Sequence, residues 1–154
     1  MRAAVLTIST SVSKGESEDV SGPELVRLCE QAGLDVVHET VSDDREAIKL
    51  ALTRLAEDRD TRFVFTTGGT GLTPDDVTPE ATRDVIHREA PGFAEAIRAE
   101  SRNHTPLGIL TRGVSGIRGR ALIVNLPGSP KAIGQSWPVI EPTLKHAADT
   151  LERG

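Results

Sequence analysis

The chain opens on an apolar run, Ala3 to Ile8, followed by the polar stretch Ser9 to Asp19 with Gly15 inside it. A short run rich in β-branched residues predicts a buried strand, and the polar stretch predicts a mobile loop. Ser21-Gly22-Pro23-Glu24 has the S-x-x-E form of a capping box, with Pro at the second helical position. Leu25, Val26, Leu28, Cys29 and Ala32 then recur at helical spacing, and Gly33 supplies the stop. Asp35 to Val41 alternates as a second strand. Asp43 to Ala56 repeats the helical pattern through Ala47, Ile48, Ala51, Leu52 and Leu55. Arg62 to Thr66 predicts a third strand running into Thr67-Gly68-Gly69-Thr70-Gly71. Thr78-Pro79-Glu80 opens another helix, with Thr78 as N-cap and Pro79 at its first position. After Pro91-Gly92, the residues Phe93, Ala94 and Ile97 mark a further helix. Leu107 to Leu110 and Ala121 to Val124 read as short strands. The loop Asn125 to Pro130 leads into a C-terminal helix ending near Leu151, with Pro138 and Pro142 marking a break and restart.

Strands alternating with helices predict one α/β domain over residues 1–154, with a largely parallel sheet and helices on both faces. In such sheets ligands bind beyond the carboxyl ends of the strands. Both glycine-containing loops follow strands and are expected on that edge.

Composition narrows the partners. The 154 residues carry 18 Lys+Arg against 23 Asp+Glu, a net charge of −5, which argues against a dedicated nucleic-acid binder. Aromatics make up 3% with no tyrosine, so base-stacking platforms are not expected. No apolar run approaches the roughly 18 residues of a membrane span, and no signal peptide precedes the first strand, so a cytoplasmic location is expected. The single cysteine, Cys29, lies on the apolar face of its helix and reads as core. His38, His87, His104 and His146 show no metal-ligand spacing.

Four segments carry candidate chemistry. Thr67-Gly68-Gly69-Thr70-Gly71 can bring backbone N–H groups and hydroxyls to a phosphate, although it is neither a P-loop nor G-x-G-x-x-G; the alternative is a tight turn. Asp75-Asp76, just ahead of a helix, can hold a hydrated Mg²⁺ that also touches phosphates, or can simply complement the helix dipole. Asp43-Asp44 is a second acid pair at a helix start with the same two readings. If strands two and three end on one edge, Asp43 approaches Asp76, and two carboxylates at a phosphate cleft imply a divalent cation between them. Asn125-Leu126-Pro127-Gly128-Ser129-Pro130-Lys131 is a proline-stiffened loop with donors at Gly128 and Ser129 and a cation at Lys131. Arg112 and its basic neighbours are further candidate cations.

Together these segments, with Val5-Leu6-Thr7-Ile8-Ser9, Asp19-Val20-Ser21-Gly22 and Asp76-Val77-Thr78-Pro79-Glu80-Ala81, resemble the molybdenum-cofactor biosynthesis family of the MogA, MoaB and gephyrin G-domain type. The resemblance covers nearly the whole chain. It implies a three-layer α/β/α sandwich, a homotrimer, and adenylyl transfer from Mg-ATP to the terminal phosphate of molybdopterin, with pyrophosphate released. It implies Asp43 and Asp76 as catalytic and metal-holding acids. Ligand contacts are implied for Thr67, Gly68, Gly69, Thr70, Gly71, Ser115, Asn125, Pro127, Gly128 and Ser129. Mg²⁺ and ATP are the implied cofactor and co-substrate, with no tightly bound organic cofactor, and a molybdenum-insertion protein is a possible partner. A non-catalytic molybdopterin binder or a trimeric adaptor of the same family is the alternative. Two departures stand out. Ser42 replaces a Pro common in the family, and Ser9-Thr10-Ser11 replaces its usual Ser-Asp-Arg.

Overall fold

The computed structural model describes residues 1–153. Its centre is a six-stranded sheet in the order β2-β1-β3-β6-β5-β4. The strands are β1 (Arg2–Ile8), β2 (Asp35–Val41), β3 (Thr61–Thr67), β4 (Arg88–Glu89), β5 (Ser115–Arg118) and β6 (Ala121–Leu126). β2, β1, β3 and β6 run parallel, and β5 and β4 add an antiparallel margin. The helices are α1 (Thr10–Ser13), α2 (Ser21–Gln31), α3 (Arg45–Glu57), α4 (Thr78–Val85), α5 (Gly92–His104), α6 (Pro130–Ile140) and α7 (Leu144–Glu152).

Strand alternation builds two cores. Val5, Phe63, Phe65, Leu122 and Val124 face Leu25, Cys29, Ile97, Ile133, Trp137 and Leu144, so α2, α5, α6 and α7 cover one face. Ala4, Leu6, Ile8, Val64 and Ile123 face Ile48, Leu52, Leu55, Ala81 and Val85, so α3 and α4 cover the other. The central strands bury both faces, which explains their unbroken apolar runs. Trp137 meets Phe65 edge-on, with ring centroids 5.4 Å apart. Cys29 is fully buried, and burial pushes its thiol up to about 12, which makes it inert. No helix among the described residues is long and apolar enough to cross a membrane.

The structure departs from the pattern at several helix ends. Ser9 to Asp19 is not all loop: Ser9 caps the short α1, its Oγ accepting from Val12 N. The predicted capping box of α2 does not form. Val20 occupies the N-cap position without a capping side chain. Asp19 Oδ1 instead accepts from Gly22 N at 2.9 Å, and Glu24 pairs with Arg27. Thr78 is the first residue of α4 rather than its cap, because its hydroxyl is drawn to Gly68 O. Leu107 to Leu110 is not a strand but part of a 3₁₀ segment, Pro106–Leu110. Gly108 sits so close to α5 that a Cβ there would lie 2.5 Å from the Ser101 carbonyl carbon, so this segment packs on a helix. Pro138 stays inside α6, and the C-terminal break falls at Glu141–Thr143. β5, unpredicted, is held to β6 by a hairpin whose Gly119 has φ +59°.

Candidate functional site

β1, β3 and β6 deliver their loops to one edge, as the parallel order requires. Thr67-Gly68-Gly69-Thr70-Gly71 forms the ridge of that edge. Gly68 and Gly69 adopt φ of +100° and +72°, in the left-handed region open to glycine. The ridge is pinned from several sides. Thr78 Oγ1 donates to Gly68 O at 2.9 Å, and Thr78 N donates to Gly69 O at 3.1 Å. Thr67 Oγ1 donates to Pro127 O at 2.7 Å, tying the ridge to the Asn125–Pro130 loop, and Gly128 lies against Gly68. Arg112 N donates to Thr70 O at 2.8 Å.

Asp43 and Asp76 both approach this ridge. A Cβ built on Gly69 would lie 3.3 Å from Asp43 Oδ1, and one on Gly71 would lie 2.8 Å from Asp76 Oδ2. Asp44 takes the capping duty of α3, accepting from Glu46 N and Ala47 N, which leaves Asp43 for the cleft. Asp43 Oδ2 accepts from Thr10 N and Thr10 Oγ1, both at 3.0 Å. Asp76 Oδ2 accepts from Thr73 N at 3.0 Å and Thr73 Oγ1 at 2.8 Å. Each carboxylate therefore has one oxygen fixed, while Oδ1 accepts no hydrogen bond from a described residue. No group of three His, Cys, Asp or Glu side chains that could hold a metal occurs among the described residues. That donor set suits Mg²⁺, a hard cation held by one or two carboxylates together with substrate phosphates.

Arg112 is a clamp rather than a loose cation. Its Nε donates to Gly71 O at 2.8 Å and its Nη2 to Asp76 O at 2.7 Å, while Nη1 meets Glu80 Oε2 at 2.7 Å. One guanidinium thus fixes both ends of the segment carrying Asp76. The Arg112 hydrogen bond holds the Glu80 carboxyl below its ordinary value, so the pair stabilises the folded chain at neutral pH and loses that contribution as Glu80 protonates. Glu80→Gln is expected to be less stable than the parent at pH 7. In urea titrations the gap should close as pH falls below the usual glutamate value of about 4.3.

Two residues assigned to ligand contact turn inward. Asn125 is 3% exposed, with Oδ1 accepting from Val114 N at 3.1 Å and Nδ2 donating to Thr66 Oγ1 and Thr82 Oγ1. It locks β6 to β3 and α4 beneath the ridge. Ser115 Oγ donates to Ala90 O at 2.6 Å and accepts from Ala94 N at 3.1 Å. Asn125→Ala should lower the free energy of unfolding by about 2–3 kcal/mol, because two buried hydroxyls and the half-buried Val114 N–H lose their mate; urea denaturation reads it. Ser129 caps α6 through Ala132 N, and Lys131 beside it is exposed with no ion-pair partner among the described residues.

Two cavities lie beside the ridge. One of about 340 Å³ is walled by Thr7, Ser9, Asp19, Ser21, Thr67 and Gly68, with Gly128 at its rim. The other, of about 440 Å³, has Ser115 in its lining with Arg83, Arg98 and Arg112 around it. The pattern along the chain missed the clamp of Arg112 and the role of Thr10, whose partners lie far away in sequence, and the role of Asp19 as acceptor for Gly22 N.

Residues 4–146 match the family described as "Probable molybdopterin binding domain". The chain belongs to this family. A molybdopterin adenylyltransferase of Helicobacter pylori strain J99 is 37% identical over 150 residues, covering 96% of this chain and 85% of that protein. Gephyrin of Dictyostelium discoideum is 38% identical, covering 93% of this chain but 21% of its own length. The fold matches that of the molybdopterin biosynthesis enzyme MoaB of Thermus thermophilus with a TM-score of 0.91 and 39% identity, over 99% of this chain and 97% of that one. For a molybdopterin-binding domain, a glycine ridge flanked by two carboxylates and two cavities is a chemically apt frame.

Proposed function

We propose that this chain is a molybdopterin adenylyltransferase, transferring AMP from ATP to the terminal phosphate of molybdopterin. The observation that carries the reading is the pair Asp43 and Asp76, each with an unengaged Oδ1 beside the left-handed glycine ridge. A terminal phosphate oxygen of molybdopterin attacks the α-phosphorus, the bond from that phosphorus to the bridging oxygen breaks, and pyrophosphate leaves. The nucleophile is already an anion, so no strong general base is needed. Positioning and charge stabilisation carry such chemistry. Asp43 and Asp76 would hold Mg²⁺, which when bound offsets the charge of the ATP phosphates. The Gly68–Gly71 backbone, the Gly128–Ser129 turn and the exposed Lys131 supply donors and positive charge for phosphates. Asn125 and Arg112 act behind this layer by fixing its backbone, while Ser115 ties β5 to Ala90 and Ala94 at the start of α5. The cytoplasmic homotrimer, and docking with a molybdenum-insertion protein, belong to the same reading.

The test is pyrophosphate release from ATP and Mg²⁺. Release that requires molybdopterin is the expected result. Molybdopterin binding without release would leave a non-catalytic binder, and no binding would remove the assignment. Light scattering tests the trimer.

A further inference from the structure

A second polar cluster lies behind the smaller cavity, in a part of the chain the catalytic reading does not use. Thr7 of β1, His38 of β2 and Asp19 ahead of α2 meet over the Cα of Gly22. His38 Nε2 is 2.9 Å from Thr7 Oγ1 and 3.3 Å from Asp19 Oδ2. A Cβ on Gly22 would lie 2.3 Å from Thr7 Oγ1 and 2.5 Å from each of the other two atoms, so only glycine leaves room for the cluster. Asp19 is divided between two tasks. Its Oδ1 accepts from Gly22 N and starts α2, which has no other side-chain cap. Its Oδ2 is buried and has no hydrogen-bond donor; His38 Nε2 approaches it to 3.3 Å without forming an aligned hydrogen bond. Thr7 is 2% exposed, and its hydroxyl has His38 as its side-chain partner.

An unpartnered buried carboxylate oxygen is costly, and a ring nitrogen lone pair facing it would be worse. With the proton on Nε2, the ring donates to Thr7 Oγ1 at 2.9 Å and turns the positive end of its N–H dipole toward Asp19 Oδ2, 3.3 Å away. Asp19 and Thr7 both wall the 340 Å³ cavity, together with Ser17, Ser21 and Thr67; His38 stands outside it on the edge strand β2. Removing His38 frees Asp19 and with it the wall that Ser17 to Ser21 forms.

We infer that His38 is a positioning residue: through Asp19 it fixes the start of α2 and so the shape of the cavity that receives one of the two substrates. The role rests on the adenylyltransferase reading for its kinetic consequence but not for its structural one. Two readouts separate these. Amide hydrogen exchange at Gly22, whose N–H donates to Asp19, is measured in the full chain without ligand. Exchange in His38→Leu should be at least tenfold faster, and in His38→Gln, whose amide keeps an N–H donor, within about twofold of the parent. KM for ATP and for molybdopterin is then measured in the same variants. In His38→Leu one of the two should rise at least fivefold while kcat stays within twofold, and Gln should restore it. Thr7→Val provides an independent perturbation should His38→Leu not fold. Unchanged exchange at Gly22, or a Gln variant no better than Leu, overturns the inference. Parent protein with no transfer activity overturns the functional reading instead, and exchange still decides the positioning role.

Discussion

Asp76→Asn is expected to lower the rate of adenylyl transfer by at least about a hundredfold while molybdopterin remains bound, the range seen when one preorganised charge-stabilising group is removed. The substitution is nearly isosteric. The Asn carbonyl oxygen can still accept from Thr73 N and Thr73 Oγ1, and the Asp76 main-chain carbonyl is still held by Arg112. The ridge should therefore keep its shape, and only the negative charge beside Gly71 is lost. The effect belongs in kcat rather than in the melting temperature. Single-turnover kinetics with ATP and Mg²⁺ would check it, with molybdopterin binding measured separately by fluorescence. Full activity in this variant would remove Asp76 from the metal-holding role.

Gly68→Ala should be the most damaging single methyl group in the chain. Its φ of +100° is poorly tolerated by residues with a side chain, and the new Cβ would sit 2.3 Å from the Ile8 carbonyl oxygen. Both are backbone features at the ends of the paired strands β1 and β3, so neither can retreat without opening the sheet. A loss of about 3 kcal/mol is expected from strain and collision together, lowering Tm by roughly 6–12 °C in a domain of this size. Gly33→Ala is the matched control. Gly33 also has a left-handed φ, +86°, but nothing lies within 4 Å of its Cβ position. It should lose only about 1 kcal/mol, so the difference isolates the collision at Ile8.

Much of this frame is written in local pattern. β1, β2, β3 and β6, and the helices α2, α3 and α5, each announce themselves through their own periodicity, and their order dictates which edge carries the loops. The acids at positions 43 and 76 were legible as acids near helix starts beside a glycine-rich turn. What local pattern does not carry is the division of labour within a pair. Asp44 caps a helix while Asp43 faces the ridge, a difference set by Thr10, 33 residues away. Asn125 is implied as a ligand contact by the family resemblance, with nothing in the local pattern to mark its own role. Its amide is instead taken by Thr66 and Thr82, which only the folded sheet brings near. Arg112 is similar, since nothing in a basic surface run foretells a grip on Gly71, Asp76 and Glu80. Leu107 to Leu110 failed for another reason. Four residues with apolar ends fit a strand or a turn equally well, and close packing of Gly108 on α5 decided between them. β5 was hidden by its glycine and arginine, because a short antiparallel margin needs only a hairpin to hold it.

The most direct measurement is the mass of the pterin product. Purified chain is incubated with molybdopterin, ATP and Mg²⁺, and the pterin is weighed by mass spectrometry with and without a chelator. The account predicts a pterin heavier by one AMP that disappears with the chelator and in Asp76→Asn. A pterin of unchanged mass, recovered from protein that has bound it, would contradict the account.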